Sequence, residues 1–134
     1  MNPGAEDLEA EIRRFEYKVE AGAEFAVTQP VFDAAGFAEF LKIGGSRIPI
    51  IAGVMPLESL RHAEFMANEV PGVYVPGPVV ERMRRAENAG RAAAEGIQIA
   101  RELVSEIRPL VQGLQITTLA GAQAALQVMN EDPV

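Results

Sequence analysis

The stretch AGAEFAVTQPVFD, residues 21–33, predicts a strand and its end, and the other elements of the chain are assigned relative to it. Residues 25–28 form a short β-prone run after Gly22, and the run breaks at Gln29-Pro30. Because proline cannot donate a hydrogen bond to a central ladder, the strand is expected to end near Thr28. Gln29 then stands at the carboxyl end of the strand, where parallel α/β sheets and barrels place their ligand sites. Its neutral amide is a recognition group rather than a proton-transfer group.

Length and composition indicate one ordinary domain over residues 1–134. Of these residues 49% are hydrophobic, which is enough for a real core. The net charge of -7 argues against unspecific nucleic-acid binding, which needs a basic surface. The absence of cysteine excludes disulfides and thiolate metal sites and favours a cytoplasmic location. The longest apolar run, residues 48–57, is far shorter than the ~20 residues of a membrane-spanning helix, so no membrane partner is expected.

Hydrophobic spacing in the first half predicts helices alternating with strands. A helix is expected over residues 7–21 and a second over residues 34–43. The next run, IPIIAGV at residues 48–54, is apolar without alternation. Such a run is typical of a parallel strand that is covered on both faces, so it is predicted to be a central buried strand.

The second half is predicted to be mostly helical. One helix is expected over residues 56–70, and one long helix is expected to begin at Pro78 and to be closed by Pro109. A third strand over residues 114–119 and a last helix complete the order α-β-α-β-α-α-β-α. The inward stripe of the last helix is predicted to consist of Ala122, Ala125, Leu126 and Met129.

This alternation predicts a parallel sheet with helices on its faces. Three apolar strands leave two bare sheet edges, which suggests part of a closed barrel. The RMRR run at residues 82–85 is interpreted as a solvated helix face, with Glu81–Arg85 and Glu87–Arg91 as i,i+4 ion pairs.

Strong catalytic motifs are absent from the sequence: there is no Gly-rich phosphate loop, no HExxH and no GxSxG. His62 is the single histidine, which excludes a histidine-rich metal site within one chain. The pattern alone favours a partly exposed surface role for His62. It also favours a structural role for Lys18, because a cation stabilises a helix C-terminus. For Gln29, bonding to a neighbouring backbone and ligand recognition are equally favoured.

Two ordered motifs carry a resemblance that covers nearly the whole chain. They are KVEAGAEFAVTQPVFD at residues 18–33 and IPIIAGVMPLESLRHAEFMANEVPG at residues 48–72. Together they resemble the carboxyl-terminal half of the methylenetetrahydrofolate reductase barrel, most closely the bacterial branch fused behind a homocysteine S-methyltransferase domain. The resemblance implies that the strands are the sixth, seventh and eighth of a (βα)8 barrel. That barrel binds FAD and reduces methylenetetrahydrofolate with NAD(P)H.

The resemblance also assigns roles to single residues. Gln29 matches a glutamine that contacts the pterin of the folate and, in the alternate complex, the nicotinamide. His62 lies where some relatives have a second folate-contacting glutamine. Lys18 matches a lysine that lies against FAD, where a cation can meet phosphates. Glu11 falls where the family has an acidic FAD contact.

Other parts of the family pattern are missing. The segment TTLAG at residues 117–121 stands where many relatives end in a substrate-binding arginine. A complete barrel has eight strands and roughly 250 residues, and the family's catalytic acid belongs to the amino-terminal half. We therefore expect no catalytic residue in this chain, and either self-association or a complementing amino-terminal barrel half. The alternative is a non-catalytic half-barrel that acts as an interaction module.

Overall fold

A computed structural model of the chain describes residues 7–44, 48–119 and 121–129. Three strands, β1 (Ala26–Pro30), β2 (Ile50–Val54) and β3 (Gly113–Ile116), form one sheet in the order β1-β2-β3, and both pairings are parallel. The helices are α1 (Leu8–Glu20), α2 (Ala34–Gly44), α3 (Leu60–Asn68), α4 (Gly77–Asn88), α5 (Ala92–Ile107) and α6 (Ala122–Met129). The predicted α/β class, three parallel strands with flanking helices, is confirmed. The ends of the predicted domain, residues 1–6 and 130–134, lie outside the described residues.

One face of the sheet packs on the helices and forms the main core. β2 lies between the other two strands, as predicted, and its Ile50, Ala52 and Val54 are buried. They share a hydrophobic cluster with side chains from α1, α2, α5 and α6: Phe15, Phe37, Ala100, Leu103, Val104, Ile107 and Val128. A second cluster lies under the loops that follow β1 and β2, between α3, α4 and α5.

The opposite face of the sheet carries side chains that no described helix buries completely. Val27 and Gln115 are exposed on this face, and Ile51 between them is half-buried. In a closed barrel this face is the interior. The arrangement is consistent with part of the barrel that the sequence resembles.

The first strand continues two residues beyond its predicted end at Thr28. The pairing of β1 with β2 is irregular between Val27 and Pro30. The Gly53 N–H donates to the Thr28 hydroxyl at 2.9 Å, and the Val31 N–H donates to the Gly53 carbonyl at 2.9 Å. Pro30 is therefore not required to donate to the ladder, which is why proline does not end the strand.

The predicted long helix from Pro78 is in fact two helices, α4 and α5. Gly90 has φ +71 between them. The Gly90 N–H donates to the Glu87 carbonyl at 3.1 Å and the Arg91 N–H donates to the Ala86 carbonyl at 2.9 Å, which is the Schellman pattern of a helix end. The apolar spacing continued across this break, so periodicity alone did not reveal it.

Three further boundaries and faces differ from the predictions. The third helix begins at Leu60 rather than at residue 56, because the Ser59 hydroxyl caps it by accepting from the His62 N–H at 3.0 Å. β3 ends at Ile116 rather than at residue 119. In α6, Ala124 and Val128 are buried whereas Leu126 and Met129 are exposed, so the predicted inward stripe was wrong. The smaller side chains of α6 therefore face the core beside α5, and the larger Leu126 and Met129 face solvent. Within the described residues, no helix has the length and apolar character to cross a membrane.

Candidate functional site

The carboxyl ends of the three parallel strands meet at one edge of the sheet. Gln29 lies at this end of β1, residues 55–59 follow β2, and Thr117 follows β3. The Thr117 N–H donates to the Val54 carbonyl at 2.9 Å, which joins the last two segments. In parallel α/β folds and barrels this edge carries the ligand site, so it is the candidate site here.

Gln29 presents a free amide at this edge. Its side chain is exposed and makes no hydrogen bond to the described part of the chain, whereas its backbone carbonyl accepts from the Thr28 hydroxyl at 2.8 Å. The sequence left two alternatives for this amide, a bond to a neighbouring backbone and ligand recognition. Within the described residues the bond to a neighbouring backbone is not formed. The donor and the acceptor of the amide are both available to a ligand.

The position of Gln29 depends on a glycine in the neighbouring strand. A Cβ added at Gly53 would lie 2.8 Å from the Thr28 carbonyl oxygen and 3.4 Å from the Gln29 carbonyl oxygen. Side chains do not tolerate the shorter distance, so the irregular segment of β1 can lie over β2 only because residue 53 is glycine. The sequence signal was a glycine inside a strand pattern, which indicates a close backbone approach.

His62 lies in the first turn of α3 and organises the loop after β2. Its Nδ1 accepts a hydrogen bond from the Glu58 N–H at 3.2 Å. The ring nitrogen Nδ1 is therefore unprotonated in this arrangement, and the proton of the neutral ring is on Nε2. No described residue bonds Nε2. The ring is half-buried, in line with the predicted partial exposure, and it keeps one N–H that a ligand can use.

The same loop rests directly on the backbone of α5. A Cβ added at Gly96 would lie 1.6 Å from the Leu57 carbonyl oxygen, and the Leu57 side chain is almost fully buried. Sequence reasoning missed Gly96 as a positioning residue. A glycine within a strong helical pattern is the signal that indicates such a contact.

Arg82 joins α4 to α5 through two carboxylates of α5. Its guanidinium donates to Glu95 at 2.7 Å and to Glu102 at 2.8 Å. These hydrogen bonds hold the pKa of both carboxyl groups below their ordinary value. Arg82 of the RMRR run therefore links α4 to α5, whereas the whole run was predicted to be a solvated helix face.

The ion pairs predicted within α4 do not form as expected. Among the described residues Glu81 pairs with Arg84 rather than with Arg85. Arg91 pairs with Glu95 at 2.9 Å rather than with Glu87. The break at Gly90 explains the second difference, because Glu87 and Arg91 are not on one continuous helix.

Lys18 and Glu11 lie together along α1, away from Gln29. Both line a cavity of about 190 Å³ between α1 and the start of β1, beside Phe15 and Phe25. Lys18 is exposed in the last turn of α1, whereas Glu11 is buried and accepts from Arg14 at 2.8 Å. Lys18 therefore lies near the amino end of β1, and Gln29 lies at the opposite end of the same strand.

The lining of this cavity combines a cation with an exposed aromatic ring. The Lys18 ammonium can pair with a phosphate, and the exposed ring of Phe25 offers apolar surface for a ring system. Glu11 is already engaged by Arg14, so it supports the cavity wall. Within residues 7–44, 48–119 and 121–129, no group of three or more histidine or carboxylate side chains is arranged to hold a metal ion.

Comparison with known proteins agrees with this geometry. The sequence model described as methylenetetrahydrofolate reductase matches residues 1–132. Methylenetetrahydrofolate reductase 1 of Schizosaccharomyces pombe is 30% identical in an alignment of 73 positions that covers 49% of this chain and 12% of that protein. Methylenetetrahydrofolate reductase 2 of the same yeast is 29% identical in an alignment of 104 positions that covers 72% of this chain and 16% of that protein.

The matched part of the chain therefore spans about one sixth, or less, of the length of these two relatives. The closer resemblance to the bacterial fused branch stays a prediction, as do the roles of Gln29, His62, Lys18 and Glu11. The family match itself covers nearly every residue of the chain and agrees with three parallel strands whose carboxyl ends form one edge. The chain belongs to the methylenetetrahydrofolate reductase family.

Proposed function

We propose that this chain supplies the carboxyl-terminal barrel section of a flavin-dependent methylenetetrahydrofolate reductase. The reaction uses NAD(P)H and FAD to convert 5,10-methylenetetrahydrofolate to 5-methyltetrahydrofolate. The observation that carries the proposal is the free amide of Gln29, held at the carboxyl edge of the sheet by the Thr28 hydroxyl and by the absence of a side chain at Gly53.

The work of this section is binding and orientation. The amide of Gln29 offers a donor and an acceptor side by side, which complements the paired edge of a pterin and the carboxamide of a nicotinamide. The His62 Nε2–H is a second donor, in the first turn of α3 after the neighbouring strand. The backbone of Gln29 is fixed against β2, and the His62 ring is fixed by the Glu58 N–H, so a ligand that binds both side chains is oriented without moving the backbone of this edge.

FAD supplies the hydride-transfer chemistry when it is bound. We propose that Lys18 holds a phosphate of the cofactor and that Phe25 lies against its apolar surface, with Glu11 fixing the wall of the cavity. The family resemblance assigns the catalytic acid to strands outside this chain. We therefore propose that this chain alone does not turn over folate.

The remaining strands would come from an amino-terminal barrel half, on the same polypeptide or on a partner. β1 and β3 each have one strand neighbour in the described sheet, so one side of each is available for pairing. The test is to purify the 134-residue chain alone and again together with an amino-terminal half of a family barrel.

We expect a colourless, inactive chain and a flavin-containing, active complex. Flavin absorbance with reductase turnover in the chain alone would contradict the half-barrel proposal. The added half should restore turnover only if the chain keeps Gln29 at the carboxyl edge of the sheet.

The available edges also favour a second candidate, a non-catalytic half-barrel that pairs with another copy of itself. Unpaired backbone groups beside apolar strands promote such pairing. Sedimentation over a range of concentrations distinguishes the two candidates. A stable dimer that does not exchange with an amino-terminal barrel half would favour the interaction module, and a strict monomer at high concentration would contradict it.

A further inference from the structure

A second glutamine lies two strands away from Gln29, in β3. Gln115 is the third residue of β3 and is exposed. Its neighbours Leu114 and Ile116 both pack on the hydrophobic core that the helices cover. Because side chains alternate along a strand, the Gln115 side chain lies on the face of the sheet opposite the helices. In this family that face is the barrel interior.

The strand register places Gln115 across β2 from the irregular segment of β1 that carries Gln29. Pro30, next to Gln29, pairs with Gly53, and Gly53 pairs with Gln115. The strands β1 and β3 are about 10 Å apart, since each of the two spacings is about 4.8 Å. Gly53 between them has no side chain, and the backbone carbonyls of Thr28 and Gln29 lie over it. Alternate strands contribute to the same interior layer of a (βα)8 barrel, which agrees with this placement.

The amide of Gln115 also has no structural partner in residues 7–44, 48–119 and 121–129. The contrast is Gln112, whose Oε1 accepts from the Ile50 N–H at 2.7 Å and fixes the start of β3. An amide that faces a barrel interior is costly unless its donor and acceptor are bonded. Once the barrel is closed, Gln115 therefore needs a hydrogen-bonding partner from outside the described residues.

We infer that Gln115 is a second ligand-reading amide, which contacts the same bound ring as Gln29 from the other side of Gly53. The ligand is a planar heterocycle with a donor and an acceptor side by side, a description that fits the pterin of the folate and the carboxamide of a nicotinamide. The inference rests on the proposed function and deepens it. It assigns to this chain a specificity residue in the third strand, near the point where the sequence departs from relatives that carry an arginine.

The test uses the complete flavin-loaded reductase that contains these residues. Gln115→Leu removes both hydrogen-bonding groups, and Gln115→Glu keeps the length but replaces the donor with an acceptor. The matched control is Gln127→Leu, because Gln127 is exposed on α6. Steady-state constants for methylenetetrahydrofolate and for NAD(P)H are measured in each variant, together with flavin content and the unfolding midpoint.

We expect Gln115→Leu to raise KM for one or both substrates by about tenfold to a hundredfold, as for a lost buried ligand hydrogen bond. Flavin content, the unfolding midpoint and the Gln127→Leu constants should stay at wild-type values. A rise confined to one substrate identifies that substrate as the ligand that Gln115 contacts.

Unchanged KM values for both substrates in both Gln115 variants would overturn the inference, as would an equal effect of Gln127→Leu. Gln29→Ala separates this failure from that of the proposed function. If Gln29→Ala changes the steady-state constants for folate while the Gln115 variants keep wild-type constants, only the inference on Gln115 fails. If Gln29→Ala also keeps wild-type constants, the proposed function fails.

Discussion

Gly96 of α5 and Leu57 of the loop after β2 meet backbone to backbone, at a distance that excludes any side chain on residue 96. A Cβ there would lie 1.6 Å from the Leu57 carbonyl oxygen and 2.6 Å from its carbonyl carbon. The long helix on the outside of the sheet therefore fixes the loop at the carboxyl edge. His62 and Ser59 belong to the same segment, so the geometry of the candidate site depends on a contact outside it.

Gly96→Ala should destabilise the chain by about 1–3 kcal/mol or more, because the loop or the helix must move to relieve the overlap. The matched control is Gly36→Ala in α2. There the new Cβ would meet the Asp33 side chain, which can rotate away, and alanine is a better helix former by about 1 kcal/mol. Urea unfolding of both variants measures the difference, and equal midpoints would show that Gly96 does not constrain the loop.

Thr28→Val should cost about 1–3 kcal/mol although its shape is nearly unchanged. The variant leaves the buried Gly53 N–H without its acceptor at 2.9 Å. Thr28→Ser retains the hydroxyl and is the control, so it should lose much less. If the valine variant unfolds at the same denaturant concentration as the serine variant, the hydroxyl does not stabilise the irregular end of β1.

The ion pairs of Arg82 predict how the stability of the α4–α5 pair depends on pH. Its hydrogen bonds lower the folded pKa of Glu95 and of Glu102 below the ordinary value of 4.5. A depressed folded pKa gives stabilisation that is present above pH 4.5 and is lost as the pH falls through the folded values. Wild-type stability should therefore decrease on acidification below about pH 4.5.

Arg82→Gln should reduce the loss of stability at acidic pH, because the pKa values of the two carboxyl groups then return toward those of the unfolded chain. Arg85→Gln is the control, because Arg85 is exposed and has no ion pair within the described residues. The measurement is the unfolding midpoint as a function of pH in the three proteins. Parallel profiles for the wild type and Arg82→Gln would contradict the assignment.

The order of strands and helices could be predicted wherever a hydrophobic pattern met a clear stop. β2 was recognisable as a central strand because IPIIAGV is apolar on both faces, and α2 because Phe37 and Phe40 recur at helical spacing. The division of α4 from α5 could not be predicted from periodicity, because the apolar stripe continues across Gly90. A glycine in αL conformation ends the helix, and that depends on backbone conformation rather than on spacing.

The candidate site shows the same limit. The sequence predicted that Gln29 stands at the carboxyl end of a strand, which the structure confirms, but it predicted that proline would end the strand at Thr28. The compensating bonds from Gly53 and Val31 arise only when β2 lies alongside, so they have no local signal. Gln115 was missed for a similar reason, because its relation to Gln29 runs through the register of two strand pairs.

We propose that the two ends of the α1–β1 unit bind different ligands, with FAD at Lys18 and the folate and nicotinamide at Gln29. The most direct measurement is flavin retention together with steady-state kinetics in Gln29→Ala and Lys18→Ala variants of the complete reductase. Gln29→Ala should retain flavin and lose about 1–3 kcal/mol of transition-state binding for folate and NAD(P)H. Lys18→Ala should lose flavin, and more so at high salt, where its remaining phosphate contacts are screened. Loss of flavin in Gln29→Ala with normal folate kinetics in the holo fraction would contradict the claim.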